Sequence, residues 1–336
     1  SMKDVNGLFT AGTSTLNLAE YLGIEPRFTD TTAVGGSSFI IHIAHAIAAI
    51  NAGYCDVALV THGEAGRSRR SRPGLDSADP GPQYETPYGF IGAPINYAMA
   101  ARRYMHIYGE DRTRQGMAEI AVSTRKWAQM NPKAYIKDDM SFEDYHESRW
   151  ISWPFHLFDC CLVTDAGGAY VITSSERAKD ARKKPVYVLG AAESHDHNII
   201  SQMPDLTRSV AKNTGPAALE MAGISHDDID LAMIYDSFTY TVLVTLESLG
   251  FCGPGEGPDF VADQRTAPKG NFPMNTSGGG LSYTHSGMYG MFLVLEAVRQ
   301  LRGECGERQL DNPKLCLVNG TGGSLSSTGT TILAVD

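Results

Sequence analysis

The sequence has no long apolar run. Each hydrophobic stretch is soon broken by Gly, His, Asn or charge, and no charged-then-apolar signal opens the chain, so a membrane span is not expected. Basic residues are few, 28 Lys and Arg against 38 Asp and Glu, for a formal net charge of −10. A protein that grips phosphodiester backbones needs a basic face, so nucleic acid is not the expected partner. Cysteine is scarce and irregularly placed. Cys55, Cys160, Cys161, Cys252, Cys305 and Cys316 show no ligand spacing, which predicts small core hydrophobes in a reduced, cytoplasmic protein without a metal. One basic cluster, Arg67, Arg69, Arg70 and Arg72, interrupts the acidic background. It reads as a solvated loop, or as a contact for the phosphates of a nucleotide-tailed substrate or for an acidic partner.

What the chain does have is a strand–helix grammar, repeated. Residues 5–10 predict a strand, Thr15 to Leu22 a helix, and the β-branched run Phe28 to Val34 a second strand. Gly35-Gly36-Ser37-Ser38 then leads into the apolar helix Phe39 to Ile50, and Cys55 to Thr61 predicts a core strand, completing a right-handed βαβ unit. Asp159 to Thr173 returns as turn plus strand. In the second half, Val186 to Leu189, Asp230 to Tyr235, Lys314 to Asn319 and Thr330 to Ala334 predict strands, with a glycine turn at Gly320 to Gly323. Helices are predicted at about Thr239 to Leu249 and Met288 to Arg302. The two series imply an internally duplicated α/β fold with halves 1–180 and 181–336, joined near Lys179 to Pro185. An insertion of roughly residues 66–154 carries helical patterns at Pro94 to Tyr108 and Arg112 to Ala128, and insertions of this kind usually carry binding function.

The stretch most suggestive of a site is Asn275 to Gly290, Asn-Thr-Ser-Gly-Gly-Gly-Leu-Ser-Tyr-Thr-His-Ser-Gly-Met-Tyr-Gly. Its three consecutive glycines permit close backbone approach and precede a tyrosine and a histidine. This wording resembles the thiolase-superfamily loop, usually Asn-x-x-Gly-Gly-x-(four residues)-Gly-His-Pro, in the variant of sterol-carrier-protein-type thiolases and their lipid-transfer-protein-like relatives. "GGSSFIIHIAHAIAAINAG", "NPKAYIKDDMSFEDYHESRWISWPFHLFDCCLVTDAGGAYVIT", "YDSFTYTVLVTLESLGFCGPGEG" and "NGTGGSLSSTGT" match the same family in order and spacing. The resemblance implies thiolase-like βαβαβαββ halves in a layered α/β/α/β/α core with a loop domain inserted in the first half, and a homodimer. Such chains normally carry a further strand and helix before "DVNGLFT".

The resemblance also locates the chemistry, partly by absence. A thiolase nucleophile begins the first buried helix, where the helix N-terminus lowers a thiol pKa, and Gly36 stands there. The second thiol of the family falls on Gly320, in Gly320-Thr321-Gly322; Cys316 lies in the preceding strand. His285 falls on the catalytic histidine, flanked by Thr284 and Ser286 where the family has Gly and Pro. Tyr235-Asp236-Ser237-Phe238 replaces the turn that helps hold the oxyanion. Tyr235 and Tyr283 are expected to converge with His285 and to remove the proton from a β-hydroxyl, while backbone amides stabilise a thioester enolate. Gly36, Ser37, Asp236, Gly278, Gly279, Gly280, Gly320, Gly322 and Gly323 are expected to line the substrate site.

The activity implied is retro-aldol cleavage of a β-hydroxyacyl-CoA, as in cysteine-less homologues that shorten steroid side chains with a small DUF35 partner of OB-fold and zinc-ribbon type. No bound cofactor is implied; CoA enters as the thioester of the substrate. Alternatives are an acetyl-CoA acetyltransferase-like condensing enzyme using Ser37 or Ser38, which otherwise would cap their helix, and a non-catalytic acyl-CoA or lipid-binding subunit. Among the other histidines, His42 and His45 read as satisfied core residues and His62 as the end of a core strand. His195 and His197 have no further ligands in view. Asp236 is expected to fix backbone or orient Tyr235, and Glu247 to lie on a solvated helix face.

Overall fold

The computed structural model describes residues 2–69 and 80–336; Arg70 and Arg72 lie outside them. Two four-stranded sheets form the frame. The first is built from β1 (Gly7–Thr10), β2 (Phe28–Asp30), β3 (Val57–Ala65) and β4 (Asp165–Thr173), in the order β2-β1-β3-β4. The second comprises β5 (Tyr187–His195), β6 (Leu231–Ile234), β7 (Leu315–Gly322) and β8 (Ser327–Ala334), in the order β5-β8-β7-β6. In each sheet two parallel strands are followed by an antiparallel one, β1-β3-β4 matching β6-β7-β8. This is the duplication that the strand–helix grammar predicts. It has two asymmetries among the described residues: β2 flanks β1 with no strand at the matching edge of β6, and β5 flanks β8 with no strand at the matching edge of β4.

The helices make the layers. α1 (Thr15–Leu22) covers the outer face of the first sheet, closing a small core of Val5, Leu8, Ala19, Ile24, Val57 and Leu59. α2 (Ser38–Asn51) is apolar on almost every face because it is buried between the two sheets. α7 (Gly290–Arg302) shares that central layer, packing on β7, β6 and β4. Their side chains and the inward residues of both sheets form one core, including Phe9, Phe39, Ile40, Met233, Met291, Val318 and Leu333. Outside the second sheet lie α5 (Ala211–Ala222) and α6 (Thr239–Leu249).

Onto this last layer the inserted helices α3 (Ala93–Tyr108) and α4 (Glu110–Gln129) are folded, so a segment from the first half completes the core of the second. That placement corrects the reading of Glu247. It is buried on α6, taking a hydrogen bond from the Tyr104 hydroxyl of α3 and from the N–H groups of Gly255 (2.9 Å) and Gly257 (2.8 Å). The predicted glycine turn is also displaced: β7 runs unbroken through Gly320 and Gly322, held by its ladder to β8, and turns only after Gly322.

Candidate active site

The site is assembled where β6 ends, where α2 begins and where the triple-glycine loop meets α7. Asn275 opens the loop in a left-handed conformation (φ 51°), and its side chain behaves like a strand partner. Its Oδ1 accepts from Ile234 N (2.9 Å) and its Nδ2 donates to Ile234 O (2.8 Å). Gly278 (φ 97°) and Gly279 (φ 60°) then turn the chain into a single π-helical turn, Gly279–Tyr283, of the kind frequent at functional sites. A Cβ on Gly278 would come within 2.6 Å of Ala128 on α4, and one on Gly279 would overlap the Asp236 carboxylate.

Asp236 is the pin of this loop. Its carboxylate accepts from Gly280 N (2.7 Å) and Leu281 N (3.2 Å). Burial raises its pKa to about 7, against the opposing pull of those two amides. Gly278 N is likewise bonded to Asn275 O and Gly279 N to the Ser277 hydroxyl. The amides of Gly278, Gly279 and Gly280 are therefore spent inside the protein. Asp236 and these amides satisfy one another and so hold the shape of the loop.

The pinned loop presents His285 to Tyr235. The Tyr235 hydroxyl lies 3.0 Å from His285 Nε2, with the rings edge to face, and accepts the backbone N–H of Tyr289 at 2.9 Å. Burial drives the Tyr235 pKa well above the usual phenol range and pushes His285 down to about 4. At neutral pH both are uncharged, so neither ring rests as an ion and the two share one neutral hydrogen bond. His285 is half-buried, and Gly287 beyond it is exposed.

Tyr283 does not join this pair. Its ring meets Phe292 edge to face at 6.2 Å. The second phenol is Tyr289 instead, fully buried at the head of α7, 5.7 Å from the Tyr235 ring and stacked with His285 at 6.1 Å. The sequence signal for Tyr289 was its place four residues after His285, at the helix start.

Gly36 explains where the nucleophile's space went. A Cβ built there would overlap the ring and hydroxyl of Tyr235, well inside the roughly 3.5–4.0 Å at which carbon atoms rest. The phenol fills the position that a side chain at residue 36 would occupy. The hydroxyls beside it are engaged elsewhere and do not cap α2. Ser37 Oγ lies 2.7 Å from Ser327 Oγ, and Ser38 Oγ donates to Gly35 O (2.7 Å) and accepts from Val34 N (2.9 Å). Among the described residues no base contacts either serine.

Gly320 and Gly322 are the backbone against which α2 docks. Their missing side chains would strike Ile40 and the Val34 carbonyl, and Gly323 supplies a left-handed turn (φ 60°). At these glycines the backbone of the second half meets the start of α2. Cys161 lies within electrostatic reach of Tyr235 and Asp236, and burial holds its thiol above the ordinary range, hence protonated.

The remaining histidines divide differently from expectation. His45 bridges Asp30 (2.6 Å) and Glu193 (3.3 Å) and so ties α2 to both sheets. His42 is buried with neither ring nitrogen partnered. His197 bonds Asp196 and the Ser324 carbonyl. No group of His, Cys, Asp and Glu suited to a metal occurs among the described residues, nor does a helix long and apolar enough to cross a membrane.

Comparison with known proteins shows the family to which this fold belongs. Residues 192–335 match the family described as thiolase C-terminal domain-like. The 17-hydroxy-3-oxo-4-pregnene-20-carboxyl-CoA lyase of Mycobacterium tuberculosis is 35% identical over 90% of this chain and 82% of its own length. A steroid side-chain-cleaving aldolase of Thermomonospora curvata is 35% identical over 95% of this chain and 85% of that protein. Among solved structures, an Ltp2-ChsH2(DUF35) aldolase covers 100% of this chain and 88% of its own, with a TM-score of 0.91 at 34% identity. The chain belongs to the thiolase superfamily, in its lipid-transfer-protein-like aldolase branch.

Proposed function

We propose that the chain cleaves the Cα–Cβ bond of a β-hydroxyacyl-CoA thioester by a retro-aldol reaction, with Tyr235 and His285 as catalytic residues and without a covalent enzyme intermediate. The observation that carries this reading is the phenol standing in place of a residue-36 side chain, hydrogen-bonded to the imidazole. The β-hydroxyl passes its proton to the Tyr235 oxygen as the phenol's own proton moves to His285 Nε2. The Cα–Cβ electron pair then settles on the thioester as an enolate and Cβ becomes a carbonyl. The imidazolium returns its proton through the same relay to Cα, releasing the shorter acyl-CoA. A histidine whose pKa lies near 4 holds no standing positive charge at neutral pH, so the imidazole is free to take the proton. The Tyr289 N–H, aimed at the phenol oxygen, stabilises the negative charge developing there.

The lyase and aldolase named among the relatives support the reaction class and suggest a steroid or other lipid side chain as the acyl group. The aldolase structure that pairs with a DUF35 protein supports the same kind of partner here. A homodimer and a cytoplasmic location complete the proposal. Six unpaired thiols suit a reducing compartment.

The test is mass spectrometry of products after incubation with 17-hydroxy-3-oxo-4-pregnene-20-carboxyl-CoA and shorter β-hydroxyacyl-CoA esters, with and without a co-purified DUF35 protein. A ketone plus a shortened acyl-CoA in equal amounts is the expected result. An acylated enzyme, or thioester binding without C–C cleavage under either condition, would replace this function with acyl transfer or with simple binding.

A further inference from the structure

We propose that His62 and Thr164 are positioning residues that aim His285 at Tyr235 by holding the residues on either side of it. The proposal rests on the catalytic reading of Tyr235 and His285 above. Thr284 and Ser286 replace the glycine and the proline of the loop motif with short polar side chains, and each is caught by a residue of the first half. Thr164, immediately before β4, makes three bonds to the loop. Its Oγ1 lies 2.7 Å from Thr284 Oγ1 and accepts the His285 N–H at 3.0 Å, and its own N–H donates to the His285 carbonyl at 3.0 Å. Both backbone polar groups of His285 are thus fixed by one side chain and one amide.

His62 secures the other flank. It sits on β3, buried against Phe39 and facing Phe292, and its Nε2 lies 3.0 Å from Ser286 Oγ. Its other ring nitrogen, Nδ1, is buried with no partner. A ring that served only to fill space there would be better as phenylalanine, since a buried, unpartnered polar atom weakens a core. Among the described residues the contact to Ser286 is the one hydrogen bond this imidazole makes, and it falls on the residue next to the catalytic histidine. Burial keeps His62 neutral, with a pKa near 4, so no second positive charge stands near His285 at neutral pH.

Three variants test this in the full chain, His62→Phe, His62→Gln and Ser286→Ala, with His62→Phe also combined with His285→Gln. His62→Phe keeps the ring packing and loses the bond, whereas the Gln amide reaches the Nε2 position and keeps it. In the lyase assay, kcat falls about tenfold in His62→Phe and Ser286→Ala with KM within twofold, and His62→Gln recovers most of it. Adding His62→Phe to His285→Gln costs nothing more, because the two act through one group. The second readout needs no turnover: the His285 imidazole resonances in NMR spectra shift in His62→Phe and Ser286→Ala and stay near wild type in His62→Gln. Unchanged resonances in His62→Phe, or a tenfold loss that persists on the His285→Gln background, would overturn the positioning role. Absence of lyase activity in the wild type with normal resonance shifts in the variants would instead overturn the reaction while leaving the latch in place.

Discussion

Gly36→Ala puts one methyl group into the Tyr235 ring, and its consequences separate stability from chemistry. Gly36 lies in a buried 3-10 turn and is not among the residues with positive φ, so alanine brings no backbone strain there. The cost is overpacking, about 1–3 kcal/mol. A chain of 336 residues unfolds with an entropy of about 0.7 kcal/mol/K, from roughly 2.1 cal/mol/K per residue, so Tm falls by about 1–4 °C. Turnover falls far more. A ring pushed aside by the methyl loses both its 3.0 Å contact to His285 and the 2.9 Å bond from Tyr289 N, and a lost proton relay costs about 10²–10⁴ in rate. On a Tyr235→Val background the clash is gone, so adding Gly36→Ala lowers Tm no further, and activity stays lost. Scanning fluorimetry and the product assay, run on the two single variants and the double, read both effects. Full activity and unchanged Tm in Gly36→Ala would show that the phenol does not occupy this space in solution.

Other outcomes follow from the same geometry. Tyr235→Phe lowers kcat by about 10²–10⁴ in the product assay, while Tyr283→Phe, whose ring packs on Phe292, stays within about threefold; equal losses would return Tyr283 to the relay. Asp236, with a folded-state pKa near 7 against 3.8 when unfolded, favours the protonated fold. Its contribution is fully present below about pH 4 and is lost as pH rises through 7, so Asp236→Asn flattens that part of the stability-versus-pH curve measured by denaturant titration. An unchanged slope would show that Asp236 ionises as freely as in the unfolded chain. Cys161→Ala leaves turnover within about threefold, because its thiol is held protonated. A thioester adduct on Cys161, trapped and sequenced, would restore covalent chemistry.

Much of the frame was legible in the sequence, and the reasons differ by element. α1 and α6 begin and end where the residue pattern places them, because their glycine stops, Gly23 and Gly250, are true left-handed caps. The strand through Gly320 and Gly322 was read as a turn, since nothing local reveals that α2 would press against it and that β8 would hold it straight. The Tyr235–His285 pair was visible through its motif, but the choice between Tyr283 and Tyr289 was not. That choice depends on the π turn, which is set by Asp236 from 44 residues away and by α4 from farther still. Glu247 failed for a related reason, because its solvated face is covered by a helix from the insertion.

The inserted segment does more than decorate the first half. Ala128 abuts Gly278, Asn131 donates to the Ser277 carbonyl (2.8 Å), Arg125 to the Ser282 hydroxyl (2.9 Å), and the amides of Tyr135 and Ile136 to the carbonyls of Tyr283 and Ser282 (3.0 Å each). The mould for the reactive loop is consequently translated more than a hundred residues before the loop itself. Half-molecule chimaeras between relatives would inherit a mismatched mould, and sequence drift in α4 would retune the histidine without touching any residue near the substrate.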